Sequence, residues 1–491
     1  MYTFGKTVEN EWALVHVCDE HGNPTNYIAI KKNILYNKKF DQYLQTKQFI
    51  GLCAYQNFPE PIKNPYDSDR KESLEGTILE KYGHRILLWC HCFKYPKQFI
   101  PPGYPLLLQS DSDHYNTSAL LKKADTVEKK YDFFCSLPNG DWNGWIRGLD
   151  TAKKWLNVMA DKMSLKILVG GGDRREGFSD AIEFTGHLPW YQYIHKMNEC
   201  KYMFNAARYD ASPRILIEAL SLNIPVFLNQ DILGGWKYIN PSTGAFFFYD
   251  EPIEPAVRGF MKKTYKPKEW MERNFDTNQA KQLLAKTLDR IVSLQYADFF
   301  DGIVCIHLLH KESSKTHIHK EFQTMGIPDT MIHCIEEEPV EIDCEYYRKS
   351  VFHTKALVHA KEKNWNRCLI VESNFSFTLV KGRFLWILSE FFTNFPTWDV
   401  YMLTTFWKHL QDTHIEYIKK VQSATTVSGY IVQSKYYDTL LANFQEAGCL
   451  RKTEYETNPT NVTSFAIDQY WHSLQKRDQF YISEPQSGRV V

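Results

Sequence analysis

Two carboxylates, Asp210 and Glu218, stand on either side of a predicted helix start with seven residues between them. Ser212 is a good N-cap and Pro213 suits the first helical position, so the helix should begin there. The free N–H groups and the positive end of the helix dipole favour a phosphate, and Arg214 adds a forked cation. One carboxylate precedes the helix and the other lies two turns into it, so both can face one crevice. The pattern therefore predicts an anion site flanked by two acids.

An alternating order of strands, turns and helices is predicted to position this site. Short apolar runs predict buried strands at 131–137, 165–170, 183–186, 201–206 and 223–229. Helical periodicity follows at 145–156, 191–200 and 214–220. Such alternation requires a parallel sheet with right-handed crossovers, whose strands end at a common crevice. The alternative for residues 209–228 is an ordinary capped amphipathic helix in an α/β domain.

Length and composition restrict the class of protein. The chain has 491 residues, which is enough for two or three domains with separate cores. Lys plus Arg (58) equals Asp plus Glu (58), so net charge does not favour nucleic acid or a membrane surface as a partner. The 11 cysteines show no repeated spacing and fit reduced thiols inside a cell better than a disulfide framework.

The sequence also lacks membrane and secretion signals. No apolar run approaches the ~18 residues needed to span a bilayer, and the amino terminus lacks a signal peptide's pattern. We therefore expect no transmembrane segment and a cytoplasmic location, in a cell or in a virus-infected host cell.

A further stretch, at residues 57–65, is too rich in proline for regular structure and predicts a loop.

Two short motifs resemble metal sites. In the Cys90-His91-Cys92 triplet, strand alternation would put the thiols on one face and the imidazole on the other, which favours a structural core. The acidic pair Asp111 and Asp113 follows no adequate strand, which favours a loop. Neither motif is predicted to bind a metal.

Residues 131 to about 290 resemble the nucleotide-binding half of the retaining GT-B glycosyltransferases of family 4. That family usually has Glu, seven residues and Glu-Ala, and here Asp210 replaces the first acid. The resemblance implies that Asp210 meets the hydroxyls of the donor sugar and that Glu218 meets the ribose. It also places Arg147 and Gly148, where the family has Lys-Gly, at the donor diphosphate. The alternative is a surface arginine.

The same resemblance names the remaining donor-binding residues. These are Gly171 in a glycine turn after a strand, Ser212 and Arg214 at the helix start, and Lys237 in the loop 234–247. The resemblance implies that the helix dipole and arginines stabilise the diphosphate leaving group, and that this half needs no cofactor. A dinucleotide oxidoreductase is disfavoured because the glycine turn lacks the Gly-x-Gly-x-x-Gly order.

From Gly302 onward the sequence resembles glycosyltransferase family 25, the lipopolysaccharide and collagen galactosyltransferase type, which has a GT-A fold. Six pieces occur in family order, at 306–308, 350–353, 368–377, 398–403, 429–437 and 466–471. The family has Glu-Asp-Asp for Mn²⁺ at the end of a strand, whereas this chain has Glu372-Ser373-Asn374. A hydroxyl and an amide bring no charge, so Glu372, Asn374 and Asp468 form either a poor Mn²⁺ site or none.

The sequence thus predicts an α/β protein with GT-B-like Rossmann domains followed by a GT-A-like α/β domain. The expected domains are a reduced acceptor-side domain (1–128), a nucleotide-sugar-binding Rossmann domain (129–296) and a family 25-type domain (300–491). The implied function is transfer of a sugar, with retention, from a nucleotide-sugar donor to a glycan or glycoprotein acceptor.

The role of the carboxyl-terminal half has two alternatives. In the first it performs a second, inverting transfer, with Asp399 or Asp468 as the general base on an acceptor hydroxyl. Bifunctional fusions of this kind are found in large DNA viruses and bacteria, so a viral source is one expectation. In the second it is a non-catalytic glycan-binding or scaffolding domain beside one active transferase, which the Glu372-Ser373-Asn374 sequence favours.

Overall fold

A computed structural model describes residues 1–55, 58–59, 76–307, 312–336, 338, 340–458 and 465–491. Most of the proline-rich stretch 57–65 lies outside these residues, as does Leu308 of the first family 25 piece. The chain forms two compact units. Unit 1 comprises Met1–Ile100 and Leu106–Leu288, and unit 2 comprises Pro101–Pro105 and Asp289–Val491.

Unit 1 begins with a six-stranded mixed sheet in sequential strand order. Its strands are β1 (Thr3–Val8), β2 (Glu11–Cys18), β3 (Pro24–Ile30), β4 (Gln48–Leu52), β5 (Ile86–Cys90) and β6 (Leu106–Leu107). The first three pair antiparallel and the rest pair parallel. Two short helices accompany this sheet, namely α1 (Asp41–Leu44) and α2 (Ile78–Tyr82). A third, α3 (Ser118–Lys123), packs through Leu120 into the hydrophobic cluster of the second sheet. Cys90, His91 and Cys92 are all buried, at 0%, 4% and 0% exposure.

The second sheet of unit 1 is parallel throughout. Its strands are β7 (Tyr131–Ser136), β8 (Ile167–Gly170), β9 (Glu183–Phe184), β10 (Cys200–Asn205), β11 (Val226–Asn229) and β12 (Gly244–Phe247). The helices of this part are α4 (Asp141–Ile146), α5 (Leu149–Asp161), α6 (Trp190–Asn198), α7 (Arg214–Ser221), α8 (Ile253–Met261), α9 (Pro267–Asn274) and α10 (Thr277–Ser293), of which the last five residues belong to unit 2. The predicted α/β class and parallel sheet are therefore confirmed.

One predicted helix of this region is wrong in its extent. The sequence predicted a single helix at 145–156, but the structure has α4 and α5 with Arg147 and Gly148 between them. Gly148 adopts a left-handed conformation (φ +68°), and a side chain there would overlap the carbonyl oxygen of Ala206. Only glycine allows both this φ and this close approach of two backbones. The break therefore sets the position of Arg147.

Unit 2 contains an eight-stranded mixed sheet in the order β14-β13-β15-β20-β17-β21-β19-β18, and β16 pairs with β22. The strands are β13 (Gly302–His307), β14 (Ile332–Glu336), β15 (Arg367–Glu372), β16 (Phe375–Phe377), β17 (Val400–Met402), β18 (Lys408–Asp412), β19 (Ile418–Ala424), β20 (Gly429–Gln433), β21 (Phe480–Ser483) and β22 (Gly488–Val490). The helices are α11 (Glu312–Met325), α12 (Glu345–Glu362), α13 (Lys381–Asn394), α14 (Tyr437–Thr457), α15 (Ile467–Tyr470) and α16 (His472–Arg477).

Both faces of this sheet are buried. Along β13, Val304 and Ile306 belong to one hydrophobic cluster, whereas Ile303 and Cys305 belong to another. Successive side chains of a strand point to opposite faces, so this alternation places a core on each side. The apolar run that predicted a buried strand at Gly302 is thus explained.

Residues Pro101–Pro105 belong to unit 2 although the chain around them belongs to unit 1. The guanidinium of Arg383, which is 5% exposed, donates to the carbonyl oxygens of Gly103 (3.2 Å) and Pro102 (3.3 Å). It also lies 3.5 Å from the ring centroid of Tyr104. A buried guanidinium needs such acceptors, so this short segment completes the surroundings of α13.

The cysteines and helices of the described residues add two findings. All 11 cysteines are free thiols, and only Cys334 and Cys449 are exposed. No helix in the described ranges is long and apolar enough to cross a membrane.

Candidate functional site

The parallel sheet of unit 1 has a topological switch point between β7 and β10. From β7 the chain adds β8 and β9 on one side, and it then adds β10, β11 and β12 on the other. In open α/β sheets, ligands bind in the crevice outside the carboxyl ends of the strands at such a point. The side chains that follow these two strands are therefore the first candidates for a binding site.

Arg147 and Asp210 form an ion pair at this edge. Nη1 of Arg147 bonds Oδ2 of Asp210, and their side chains are 30% and 10% exposed. The backbone N–H of Ser212 donates to Oδ1 of the same carboxylate at 3.2 Å. Because Gly148 packs against the Ala206 carbonyl just beyond β10, the end of α4 delivers Arg147 to the loop that carries Asp210.

Glu218 lies on α7 and is 4% exposed. Its Oε1 accepts a hydrogen bond from Trp190 Nε1 at 3.0 Å and lies 3.3 Å from Arg214 Nε. Burial, and after it the charge of Glu218, raises the pKa of the Tyr115 phenol. The sequence prediction missed Trp190 and Tyr115, because no local pattern connects either one to α7.

Tyr193, on α6, interacts electrostatically with Glu218 and with Arg147, the partner of Asp210. Burial raises the pKa of its phenol, the Glu218 charge raises it further, and the Arg147 charge acts in the opposite direction. The phenol therefore remains neutral and can donate a hydrogen bond at neutral pH. Gly171 (φ +90°) lies beside the same ring, and a side chain at this position would place its Cβ 3.5 Å from Cε2 of Tyr193. The structure thus brings Arg147, Gly171 and Glu218 to one region around Tyr193.

Ser212 does not have the predicted role of N-cap. The helix α7 begins at Arg214 with Pro213 in the cap position, and no side chain caps it. Instead, Oγ of Ser212 donates to Asp111 Oδ1 at 2.9 Å. The reason why Ser212 does not cap the helix is this tertiary contact with Asp111. Residues Asp111–His114 form a 3₁₀ helix and not the predicted loop.

Lys237 was predicted to meet phosphate, but its ammonium is bonded within the protein. Its ammonium lies 2.8 and 2.9 Å from the two carboxylate oxygens of Asp113 and 2.9 Å from the Leu108 carbonyl oxygen. The side chain is only 17% exposed. The charge of Lys237 is therefore matched within the protein, through a partner 124 positions away in sequence.

In unit 2, Glu372 ends β15 and is fully buried. Its Oε2 accepts from Ser428 Oγ at 2.6 Å, and its Oε1 lies 3.3 Å from Lys349 Nζ and 3.4 Å from His353 Nε2. Burial alone would raise the pKa of Glu372, but Lys349, His353 and Ser428 together lower it to about 2. Glu372 is therefore an ionised carboxylate whose charge is neutralised by a lysine.

Lys349 and His353 were missed as partners of this acid. They lie four residues apart on α12, so both side chains project from one helical face. The attraction of Glu372 raises the pKa of Lys349 despite the opposing effect of burial. The i, i+4 spacing was a visible signal in the sequence, but nothing local connected it to Glu372.

The two predicted bases of unit 2 lie at different places. Asp468 interacts electrostatically with Lys349 and Glu372, and burial raises its pKa. Asp399 instead bonds Lys435 at 3.0 Å, and its backbone carbonyl accepts from Gln433 at the far end of β20. Because Glu372 bonds Ser428 before that strand, five residues of chain at ~3.4 Å each separate the two positions. Asp399 is therefore not brought to Glu372.

Asn374 offers an unused acceptor. Its Oδ1 is buried and has no hydrogen-bond partner in the described part of the chain, whereas its backbone carbonyl accepts from Val491 at 2.8 Å. Glu372, by contrast, has both oxygens occupied by donors from the protein. Glu372 and Asn374 therefore do not fit the divalent-metal site of family 25.

Comparisons with known proteins find similarity in structure only. No protein family model matches the chain, and no curated protein matches it in sequence. TarM from S. aureus, solved with UDP, has 12% identity over 50% of this chain and 51% of that chain, with a TM-score of 0.36. This chain thus spans about half the length of the TarM structure that it matches.

Two further solved structures show a similar degree of likeness. The pneumococcal O-GlcNAc transferase GtfA, solved with UDP and GlcNAc, has 11% identity over 60% of this chain and 70% of that chain, with a TM-score of 0.33. Sucrose-phosphate synthase from Thermosynechococcus elongatus has 12% identity over 52% and 71%, with a TM-score of 0.38. Because these TM-scores and identities are low, we infer function from the residues of this chain.

Proposed function

We propose that this chain is a glycosyltransferase that moves a sugar from a nucleotide-sugar donor to a glycan or glycoprotein acceptor. The observation that supports it most directly is the Arg147–Asp210 pair beside the start of α7, at the switch point of the parallel sheet. The family 4 signature, Asp210 and Glu218 with seven residues between them, falls at the same place. A general property of the fold and a specific motif therefore point to one crevice.

The donor diphosphate is proposed to bind Arg147, Arg214 and the free N–H groups at the start of α7. These groups carry positive charge toward the oxygens on which negative charge develops as the sugar–phosphate bond breaks. Asp210 would bind hydroxyls of the sugar, and Glu218 would bind the ribose. Because the chain supplies the positive charge itself, we propose that this transfer proceeds without a metal. We propose retention because the spacing of Asp210 and Glu218 resembles that of the retaining family 4.

The three-domain division is proposed on the same grounds. The first sheet, β1 to β6, would form the acceptor side, and the second sheet, β7 to β12, would form the donor side. The sheet from β13 onward would form the third domain. Its Lys349–Glu372 pair favours the non-catalytic alternative, in which this domain binds glycan or acts as a scaffold. A second transfer would depend on Asp468 as base, without Mn²⁺.

A screen of nucleotide sugars, with and without Mn²⁺, tests the proposed activity. The full chain is incubated with each donor, and release of nucleoside diphosphate is measured. We expect hydrolysis or transfer of at least one donor, with a rate unchanged by EDTA. Absence of both binding and turnover across the panel would overturn the proposed function, and a rate abolished by EDTA would overturn its metal-free mechanism.

Glu218→Gln should weaken binding of the donor and leave the fold intact. The substitution keeps the size of the side chain but removes the charge, and a charge-assisted hydrogen bond is worth roughly 1.5–3 kcal/mol. The dissociation constant of the donor, measured by calorimetry, should therefore rise by about 10-fold or more. Glu272→Gln, on the exposed side of α9, is the matched control and should bind as the unmodified chain does. Equal affinity in both variants would remove Glu218 from the site.

Restoring the two aspartates of family 25 should not by itself create a Mn²⁺ site in unit 2. Lys349 already neutralises Glu372, and its ammonium would repel a cation at the same oxygens. We expect Ser373→Asp with Asn374→Asp to bind Mn²⁺ at least tenfold more weakly than the same variant with Lys349→Ala added, since carboxylates are the ligands that a divalent ion prefers.

Electron paramagnetic resonance of free Mn²⁺ measures this binding in the full chain. The matched control adds Lys355→Ala to the two aspartates, because Lys355 is an exposed lysine on the same helix. If the double variant alone already binds Mn²⁺ as tightly as the triple variant, Lys349 does not block the site.

A further inference from the structure

Three potential metal ligands meet at one edge of unit 2, away from Glu372. His307 ends β13, Cys334 lies in β14 and His319 lies on α11. Their ligand atoms all lie within 4.8 Å of one another. The two strands pair in parallel with Cys305 opposite Cys334 and His307 opposite Glu336, so the thiol and the imidazole project from the same face of the sheet.

His307 is held in the orientation that a metal ligand needs. The side chain is 3% exposed, and its Nδ1 lies 2.7 Å from Glu336 Oε1. A carboxylate only accepts, so Nδ1 carries a proton, and in the neutral imidazole Nε2 then carries the lone pair. Lys315 bonds the other oxygen of Glu336 at 2.5 Å and fixes the carboxylate. A carboxylate behind a ligating histidine is the usual support of a metal site.

The lone pair of His307 is otherwise unused. Nε2 is buried and makes no hydrogen bond to any residue in the described ranges. A buried polar atom without a partner costs about 1–3 kcal/mol, so a ligand that accepts the electrons of Nε2 would stabilise this ring. His319 and Cys334 are exposed, and the His319 ring lies edge-on to the His307 ring at 5.7 Å. The side chains of His319 and Cys334 can therefore move to bind the same ion as Nε2 of the buried His307.

We propose that His307, His319 and Cys334 bind one Zn²⁺ ion, with Glu336 as the supporting carboxylate. Two imidazole nitrogens and a thiolate suit zinc and similar transition metals, and they suit Mn²⁺ or Mg²⁺ poorly. Bonds of about 2.0–2.3 Å in a tetrahedron place ligand atoms roughly 3.3–3.7 Å apart, so the side chains must approach each other by about 1 Å. Three protein ligands leave the fourth position to water.

The consequence for the fold is a link between three elements. The ion connects α11 to β13 and to β14, and β14 is the edge strand of the eight-stranded sheet. A ligand that binds only the folded state raises its stability in proportion to the logarithm of concentration over Kd. Zinc should therefore stabilise unit 2 independently of any sugar transfer, and this inference does not rest on the proposed function.

Metal binding to the full chain tests the site. The protein is reduced, stripped with a chelator and titrated with Zn²⁺ against a chromogenic competitor, while Co²⁺ serves as a spectroscopic probe. We expect one equivalent of Zn²⁺, a Co²⁺ spectrum with a thiolate charge-transfer band, and a higher Tm with zinc. Cys334→Ser should abolish that band, and His319→Ala should weaken Zn²⁺ binding at least tenfold. Glu336→Gln should weaken it about 10- to 100-fold.

Matched controls separate this site from other thiols, histidines and acids. Cys449→Ser removes the other exposed cysteine of the described residues, and His409→Ala removes an exposed histidine on β18. Both variants should bind zinc as the unmodified chain does, and so should Glu362→Gln, which changes an exposed acid at the end of α12. Zinc affinity and the Co²⁺ spectrum unchanged in Cys334→Ser would overturn the proposal. A Cys305–Cys334 disulfide in the isolated protein, with no zinc bound after its reduction, would overturn it as well.

Discussion

Arg147→Ala is expected to raise the dissociation constant of the nucleotide-sugar donor by at least about 100-fold. Each charge-assisted hydrogen bond to a phosphate is worth roughly 1.5–3 kcal/mol, and a forked guanidinium can make two of them. The substitution also leaves Asp210, which is 8% exposed, without its cationic partner. Repulsion between that carboxylate and the diphosphate then adds to the loss. Calorimetric titration with the donor found by the nucleotide-sugar screen measures the effect.

Two matched variants make this result specific. Arg147→Lys keeps the charge but not the planar fork, so its affinity should fall between those of the alanine variant and the unmodified chain. Arg273→Ala removes an arginine that is 77% exposed on α9 and should change nothing. If Arg147→Ala binds the donor as tightly as Arg273→Ala does, the switch-point crevice is not the donor site.

Lys349→Met is expected to lower the free energy of unfolding of unit 2 by about 3–5 kcal/mol at pH 7. Glu372 is fully buried and ionised, and breaking a buried ion pair leaves an uncompensated charge in the interior. Adding Glu372→Gln to Lys349→Met removes that charge and should recover most of the loss. Urea unfolding followed by tryptophan fluorescence measures both variants.

The pH dependence of this pair has a defined sign. Glu372 has a pKa of about 2 in the folded chain against an ordinary value of 4.5, so its ionisation stabilises the fold above pH 4.5. That contribution is lost progressively as the pH falls from 4.5 through 2. The difference in stability between the unmodified chain and Lys349→Met should therefore shrink at low pH. An unchanged stability of Lys349→Met at pH 7 would contradict the ion pair.

Local patterns in the sequence predicted the elements of unit 1 well. Continuous apolar runs such as Ile167–Gly170 form strands because parallel strands are buried on both faces. The predicted helix at 145–156 was wrong in extent because Gly148 must approach the Ala206 carbonyl 58 positions later. A close approach of that kind depends on tertiary structure, which local periodicity does not report.

The residues of the candidate sites likewise divide into those that local sequence predicts and those whose position depends on tertiary structure. Asp210 and Glu218 could be found because eight positions along one loop and helix fix their separation. Lys237 was predicted to meet phosphate, and Ser212 to cap the helix and bind the donor, but their observed partners come from a segment more than 100 positions earlier. The choice between Asp399 and Asp468 depended on strand order in the sheet, and no property of either residue alone reveals that order. The roles in donor binding remain predictions.

The five residues Pro101–Pro105 also constrain how the chain is made. During synthesis they leave the ribosome 280 positions before Arg383, the guanidinium that Gly103 accepts from. At about 5–20 residues per second, that interval lasts roughly 14–56 s. During this interval the rest of unit 1 is synthesised and its sheets can close, while Tyr104 has no guanidinium to stack on. In a circular permutant that begins at Leu294, just after α10, Arg383 would be synthesised before Pro101–Pro105, so the order would be reversed.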